Sequence, residues 1–149
     1  AYTNLMHVYG RHGQAERVES ILQDLLEKYN HSKDPSLQPN IHTFSVVVSA
    51  WSRRSAKRAE QWLSKMRDYG VEPNVITYTT VLSAWSKQAP NDPSAPQRAH
   101  DILRQMSCQP NTRSYTAVIR AYAEQGRAKE AQALLEEMLH HGPTPDVYT

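Results

Sequence analysis

Four segments of this chain repeat a single sequence pattern, and that repetition limits the possible folds more than any other feature. Each segment opens with an aromatic residue followed by threonine or serine, and a tyrosine or tryptophan stands seven positions after the opening aromatic. The four segments are Tyr2 to Gly13, Phe44 to Ser55, Tyr78 to Ala89 and Tyr115 to Gly126.

A second pattern follows each of these segments. Its apolar residues are spaced i, i+3, i+4 and i+7, which is the stripe of an amphipathic helix. A proline then closes each unit, and successive prolines are 34, 37 and 35 residues apart. A period near 35 with two helices per unit predicts an all-α fold, a right-handed solenoid of stacked helix-turn-helix repeats. The closing prolines are Pro39, Pro73, Pro110 and Pro145.

The period divides the chain into repeats of one solenoid that covers residues 1–149. Repeat 1 takes about residues 1–40; we expect it to be truncated at its N-terminus and extended by an insertion before Pro39. Repeats 2, 3 and 4 take residues 41–74, 75–111 and 112–146, and residues 147–149 would begin a fifth. Repeat 3 carries five extra residues between its helices, with three prolines that predict an exposed loop.

Local signals place the ends of the helices. Gly13 and Gly126 are expected to end first helices, and Gly70 and Gly142 to end second helices, as glycines after a helix often do. Small hydroxyl residues stand where the first helices of repeats 2, 3 and 4 need an N-cap. The predicted N-caps are Thr43, Thr77 and Ser114.

The aromatic residues at the seventh position after each opening aromatic admit two interpretations. They could be platforms on which nucleic-acid bases stack, but large residues at a fixed helical position between apolar neighbours favour the hairpin core. We therefore predict that these residues are buried, together with Met66, Met106 and Met138. The aromatics are Tyr9, Trp51, Trp85 and Tyr122.

The repeated phrases resemble the pentatricopeptide repeat, a helical hairpin of about 35 residues. The resemblance rests on tyrosine-threonine at the start of the first helix, on Ala-x-x-[ILW]-L-x-x-Met in the second, and on Gly-x-x-Pro-[Asn/Asp] at the end, and it covers essentially the whole chain. The tetratricopeptide repeat has a similar period, but its first helix carries Trp-x-x-Leu-Gly-x-x-Tyr, which none of the four repeats contains.

The resemblance implies binding of single-stranded RNA, with about one repeat per base. Members of the family read each base mainly with the fifth and the last residue of a motif. The family's scheme assigns Thr-Asn and Ser-Asn to adenine and Thr-Asp to guanine, so the chain would prefer A-A-A-G, read from 5′ to 3′. The pairs are Thr3 with Asn40, Ser45 with Asn74, Thr79 with Asn111, and Thr116 with Asp146.

Hydrogen-bonding chemistry agrees with this scheme. Adenine presents the 6-amino donor beside the N1 acceptor, and an asparagine amide carries both a donor and an acceptor. Guanine presents two adjacent donors, which suit the acceptor-only carboxylate of Asp146. Asn and Asp after proline are also ordinary turn residues. The combination with a hydroxyl in all four repeats favours base reading over a simple turn.

Two further sets of residues follow from the resemblance. The second residue of each motif packs against base faces, and the residue at position 13 contacts phosphate when it is basic. Repeat 4 lacks the basic residue for phosphate contact, because Glu124 occupies position 13. The base-sandwiching residues would be His42, Ile76, Arg113 and Tyr148, and the phosphate contacts Arg11, Arg53 and Lys87.

Motifs of catalysis and metal binding are lacking in the sequence. None of the seven histidines lies in an HExxH or zinc-ligand spacing, one cysteine excludes a Cys-rich zinc site, and no Gly-rich phosphate loop occurs. We therefore expect no enzymatic activity, no cofactor and no metal. No apolar run approaches the roughly 20 residues that span a bilayer, and the net charge of +2 is only weakly basic.

The sequence analysis thus predicts a modular, non-catalytic protein that binds single-stranded RNA, with no membrane partner. The family resemblance implies a mitochondrial or plastid location and a role in RNA metabolism. The alternative is a protein–protein scaffold that holds a peptide in the same groove. A third possibility, a nuclease or editing domain elsewhere in a longer protein, lies outside this sequence.

Overall fold

The computed structural model describes residues 2–141, and these residues form paired α-helices joined by short turns. No strand occurs in this range, so the all-α repeat class predicted from the sequence is confirmed. No helix in the range combines the length and the apolar character needed to cross a bilayer. The α-helices are α1 (Tyr2–Arg11), α2 (Ala15–Ser32), α3 (Ile41–Ser52), α4 (Ala56–Asp68), α5 (Val75–Gln88), α6 (Ala95–Gln105), α7 (Thr112–Glu124) and α8 (Ala128–His141), and a 3₁₀ helix covers Pro35–Leu37.

Residues 1–73 form one compact unit, which we call the N-terminal half; residues 74–149 form the C-terminal half. In the N-terminal half, α1 packs against α2 and α3, and α3 packs against α2 and α4. Met6, Val18, Leu22, Phe44 and Val47 are completely buried between these helices. Two consecutive hairpins therefore share one apolar layer, as expected for stacked repeats.

The C-terminal half has the same packing order. Helix α5 contacts α6 and α7, and α7 contacts α6 and α8. Leu82 of α5, Val118 of α7 and Met138 of α8 are completely buried. In both halves a first helix packs against its own second helix and against the first helix of the next hairpin.

Glycines end two of the first helices, as predicted. Gly13 follows α1 and Gly126 follows α7, each with φ of +69°. This left-handed conformation favours glycine because a Cβ atom would be strained there. It lets the N–H of Gln14 donate to the carbonyl of Tyr9, and that of Arg127 to the carbonyl of Tyr122. Gly70 follows α4 in the same conformation, whereas Gly142 lies outside the described residues.

The N-caps of α3, α5 and α7 lie three residues earlier than the sequence predicted. An asparagine with extended backbone occupies each cap, and its side-chain oxygen accepts the backbone N–H of the third helical residue. Asparagine is at least as good an N-cap as serine or threonine, so the predicted residues become buried members of the first turn. The caps are Asn40, Asn74 and Asn111, in place of Thr43, Thr77 and Ser114.

The predicted aromatic core is confirmed at Trp51, Trp85 and Tyr122, which are buried. The prediction is wrong for Tyr9, which is only partly buried. The hydroxyl of Tyr122 bonds to Nδ1 of His100, 2.7 Å away, on the second helix of the preceding hairpin. Tyr9 lies on the first helix of the described range, so the described residues supply no preceding hairpin to cover it.

Two smaller predictions need similar corrections. Met66 and Met138 are buried as expected, but Met106 is partly exposed because α6 ends at Gln105. In repeat 3, Pro90 and Pro93 lie in the exposed loop, whereas Pro96 is buried in the first turn of α6. The insertion in repeat 1 extends α2 to its end at residue 32 and continues into the 3₁₀ helix.

The shared apolar layer predicts unequal effects of two leucine substitutions in the C-terminal half. Leu82 is completely buried, whereas Leu139 has 59% of its surface exposed. Leu82→Ala should lower the free energy of unfolding by about 2–5 kcal/mol through lost contacts and a cavity. Leu139→Ala should change it by no more than about 0.5 kcal/mol. Urea unfolding followed by circular dichroism measures both, and equal effects would contradict this packing.

Candidate nucleic-acid interface

Helix α3 and its C-terminal cap carry three of the predicted binding residues. His42 and Ser45 stand at motif positions 2 and 5, three residues apart, and so share one face of the helix. Arg53, at motif position 13, is the C-cap residue that follows α3. His42 and Arg53 are exposed and Ser45 is partly exposed, whereas Val46 and Val47 turn into the core. The predicted residues therefore lie on a face that a ligand can reach.

A groove between α1 and α3 collects predicted residues from two repeats of the N-terminal half. Its volume is about 230 Å³. It brings together the predicted phosphate contacts Arg11 and Arg53, the base-sandwiching His42 and the base-reading Ser45. The groove is lined by His7, Gly10, Arg11, His42, Ser45, Val46, Ser49, Ala50 and Arg53.

The sequence analysis missed one further position on this face. It lies four residues after each base-reading hydroxyl and four before position 13, so the spacing i+4 could have revealed it. In repeat 4 this position holds the exposed Arg120, one turn before Glu124. Arg120 thus supplies a cation in the repeat that lacks one at position 13. The residues at this position are His7, Ser49, Ser83 and Arg120.

Each capping asparagine has its side-chain oxygen fully engaged. The oxygen accepts the backbone N–H and the hydroxyl of the residue three positions later, at 2.9–3.0 Å. Two donors occupy both lone pairs, so only the Nδ2 amide hydrogens remain to bind a ligand. We expected these amides to offer a donor and an acceptor; the structure leaves them the donor alone. The residues concerned are Asn40, Asn74 and Asn111.

The base-reading hydroxyls of repeats 3 and 4 differ from the asparagine side chains, because they are engaged within the protein as donors. Thr79 donates its hydroxyl to the carbonyl of Val75 at 2.6 Å, and Thr116 donates to the carbonyl of Thr112 at 2.7 Å. A hydroxyl that donates to its own helix, as that of Thr79 does, retains lone pairs that can accept. A repeat that combines such a hydroxyl with a capping asparagine therefore presents one acceptor and one donor.

Thr79 and Asn111, the predicted reading pair of repeat 3, are joined through a third residue. The hydroxyl of Ser114 donates to Oδ1 of Asn111 at 2.9 Å and lies 3.3 Å from the hydroxyl oxygen of Thr79. Both reading residues are partly exposed, whereas Ser114 is completely buried. The two residues that the sequence pattern paired across 32 positions thus meet at one site.

The structure does not bring the other predicted reading residues together as it does those of repeat 3. Thr3 is partly exposed and Asn40 is exposed, both in the N-terminal half, with no bond between them. Ser45 belongs to the N-terminal half and Asn74 to the C-terminal half. Among the base-sandwiching residues, Arg113 is exposed and Ile76 is 71% exposed. Asp146 and Tyr148 lie outside the described residues.

The first helices carry few acidic residues that could pair with their positive charges. Several arginines at or near the second helices pair with glutamates: Arg58 with Glu19 at 3.1 Å, Arg104 with Glu137 at 3.0 Å. By contrast, Arg11 and Lys87 are exposed on first helices and have no ion-pair partner among residues 2–141. Their charges remain available to an anionic ligand.

Arg54 and Arg127 follow the same pattern as the other paired arginines. Arg54 pairs with Glu16 and Arg127 with Glu130. Hydrogen bonds from the backbone and from these arginines hold the pKa of both carboxyl groups below its usual range. Both carboxylates are therefore ionised near neutral pH, and the pairs are charged on both sides.

Family models of this repeat match most of the chain. The PPR repeat model matches residues 1–29, the pentatricopeptide repeat domain model residues 29–88, and the PPR repeat family model residues 110–149. Only residues 89–109, which contain the repeat 3 loop and all of α6, lie outside these matches. The chain belongs to the pentatricopeptide repeat family. No curated protein sequence gives a significant match to it.

Solved structures of pentatricopeptide repeat proteins have the same fold. The protein PPR10 in complex with an 18-nt psaJ RNA element aligns with 99% of this chain at 29% identity and a TM-score of 0.71. PPR10 from maize aligns with 95% at 23% identity and a TM-score of 0.75. This chain spans about a fifth of the length of these two PPR10 chains.

A second solved protein gives a similar match. The PPR domain of Arabidopsis thaliana protein-only RNase P 1, solved in complex with tRNA, aligns with 96% of this chain and 72% of its own. The identity is 19% and the TM-score 0.70, which supports the common fold.

The two hydrogen bonds that the Asn111 side-chain oxygen accepts predict how α7 responds to substitution of this residue. Asn111→Ala removes the cap and should lower the free energy of unfolding by about 0.5–2 kcal/mol. Asn111→Asp retains an oxygen that accepts both bonds, and its charge suits a helix N-terminus, so stability should stay near that of the parent chain. Urea unfolding distinguishes the two variants. Equal destabilisation by both would show that the side chain does not cap the helix as described.

Proposed function

We propose that this protein binds single-stranded RNA along the exposed face of its first helices, without catalysis, and that each repeat contacts one base. The observation that carries the proposal is the polar pair at repeat 3, where Thr79 offers an acceptor and Asn111 a donor. Adenine presents the complementary pair, the 6-amino donor and the N1 acceptor. An unpaired base exposes this edge, whereas a base in a duplex does not.

The proposed sequence preference is A-A-A-G, read from 5′ to 3′ by repeats 1 to 4. Asn40, Asn74 and Asn111 would donate to N1 of adenine, and the paired hydroxyls of Thr3, Ser45 and Thr79 would accept from its amino group. In repeat 4, Asp146, with Thr116 beside it, would accept from the two donors of guanine, because an ionised carboxylate has no hydrogen to give.

Stacking and phosphate contacts would supply the remaining binding energy. Ile76 has 71% of its surface exposed, and a base packed against it would remove apolar area from water. His42 and Arg113 have flat side chains that can stack on bases, as Tyr148 can. Arg11, Arg53 and Lys87 would contact phosphates, and Arg120 would do so in repeat 4 in place of Glu124.

The RNA complexes of the related PPR10 and of the PPR domain of RNase P 1 support the partner class. A peptide scaffold is the alternative, and it gives no reason for the donor of Asn111 and the acceptor of Thr79 to lie side by side in repeat 3. A role in organellar RNA metabolism, in mitochondria or plastids, is also part of the proposal and rests on the family alone.

The proposal predicts a change of base preference on substitution of Asn111. Asn111→Asp replaces the amide donor with an acceptor and leaves the capped oxygen in place, so the third base should change from adenine to guanine. A matched polar contact to a base edge contributes about 1–3 kcal/mol of discrimination. The ratio of dissociation constants for A-A-A-G and A-A-G-G should therefore change by about tenfold or more, measured by titration of short single-stranded RNAs.

Lys87→Ala is the control, on α5, the helix that carries Thr79, the proposed reading partner of Asn111. A phosphate contact carries no base information, so this variant should weaken binding of both RNAs equally. If Asn111→Asp also changed both affinities equally, Asn111 would be a helix cap alone. If neither RNA bound the parent chain, the scaffold alternative would be favoured.

A further inference from the structure

A buried hydroxyl lies behind every capping asparagine in the described repeats. It belongs to the third residue of α3, α5 or α7, and each is at most 3% exposed. It donates to the asparagine oxygen at 2.9–3.0 Å. In two repeats it also accepts the backbone N–H of the asparagine, at 3.3–3.4 Å. These hydroxyls belong to Thr43, Thr77 and Ser114.

We propose that Ser114 is a positioning residue that sets the base preference of Asn111, and that Thr43 does the same for Asn40. This inference rests on the proposed RNA-binding function and adds a third, buried specificity residue to the two that would contact each base. Ser114 is completely buried, so its influence on RNA passes through Asn111 and Thr79.

The reason lies in the two lone pairs of the asparagine oxygen. The backbone N–H of Ser114 occupies one of them, at 2.9 Å, and the hydroxyl of Ser114 occupies the other. With both occupied, Asn111 can act toward a ligand only as a donor. It then suits a ring acceptor such as N1 of adenine, and it opposes the ring N–H of guanine or uracil.

Loss of the Ser114 hydroxyl would change which hydrogen bonds Asn111 can form with a ligand. One lone pair of Asn111 would become available, and the amide would be held by one hydrogen bond instead of two. The amide could then turn its oxygen toward the ligand and accept from a ring N–H. Bases with a ring donor would become better ligands at the third position, and the preference for adenine would decrease.

Ser114 also connects the two reading residues of repeat 3. Its oxygen lies 3.3 Å from the hydroxyl of Thr79. That hydroxyl is itself held by the carbonyl of Val75 at 2.6 Å. Because both hydroxyl hydrogens are donated elsewhere, this approach is a contact and not a hydrogen bond. Thr79 and Asn111 thus lie against the same buried oxygen, across the packed helices α5 and α7.

The test compares Ser114→Ala with Ser114→Thr. Threonine retains the hydroxyl, and Thr43 and Thr77 show that it fits this position in other repeats. Titrations would use the 149-residue chain and short single-stranded RNAs that contain A-A-A-G, A-A-G-G or A-A-U-G, followed by NMR, which reaches millimolar dissociation constants.

Ser114→Ala should reduce the preference for adenine at the third base by about threefold or more, since one hydrogen bond contributes about 0.5–1.5 kcal/mol. Ser114→Thr should preserve the preference of the parent chain. A general loss of stability would weaken all three RNAs together and leave the preference unchanged, so the ratio of affinities separates positioning from folding.

One further variant keeps the proposal testable if Ser114→Ala folds poorly, and a double variant is a control for the case in which it folds. Thr43→Val has a similar shape and should relax the preference at the first base, read by Asn40. In Asn111→Asp the second carboxylate oxygen accepts whether or not Ser114 is present, so adding Ser114→Ala should leave the guanine preference unchanged.

The outcomes separate this inference from the proposed function. If the parent chain prefers adenine at the third base and both Ser114→Ala and Thr43→Val keep the parent preferences, Ser114 and Thr43 are structural caps and the inference is wrong. If the parent chain binds none of the RNAs, the proposed function itself fails, and the inference fails with it.

Discussion

The hydrogen bonds of the capping asparagine are the interaction on which both the hairpins and the candidate interface depend. Asn111 begins α7 by accepting the backbone N–H of Ser114, so the same side chain that starts the helix is held at the edge of the interface. A reading residue on a flexible loop would lose conformational entropy on binding. Here the cap bonds already fix the side chain in the folded protein, so under the proposed function its donor would meet a base at little further entropic cost.

The distribution of charge explains how a chain with a net charge of only +2 can offer a cationic face. Arg58 and Arg104 are matched by glutamates. Arg11 and Lys87 have no ion-pair partner within residues 2–141, and Glu124 is the one acidic residue on α1, α3, α5 and α7, so these first helices carry a net positive charge. A few phosphate contacts imply a modest dependence of affinity on salt. Base contacts would then carry a large share of the specificity.

The sequence predicted the features that follow from periodicity. It missed those that depend on which atoms form hydrogen bonds. The apolar spacing was enough to place the hairpins and the buried Trp51 and Trp85, because a fixed helical position has a fixed environment in a repeat. The cap was placed at Ser114 instead of Asn111, since both residue types cap helices and only the geometry distinguishes them. The commitment of the asparagine oxygen, and therefore its donor-only character, is invisible in the sequence. Tyr9 was misjudged because its burial depends on a neighbouring hairpin.

Selection of RNA by the protein from a randomised pool tests the central claim most directly. The account predicts enrichment of A-A-A-G in segments that are not base-paired, with the third adenine replaced by guanine when the selecting protein carries Asn111→Asp. Enrichment of paired segments, of sequences unrelated to A-A-A-G, or of no sequence at all would contradict it.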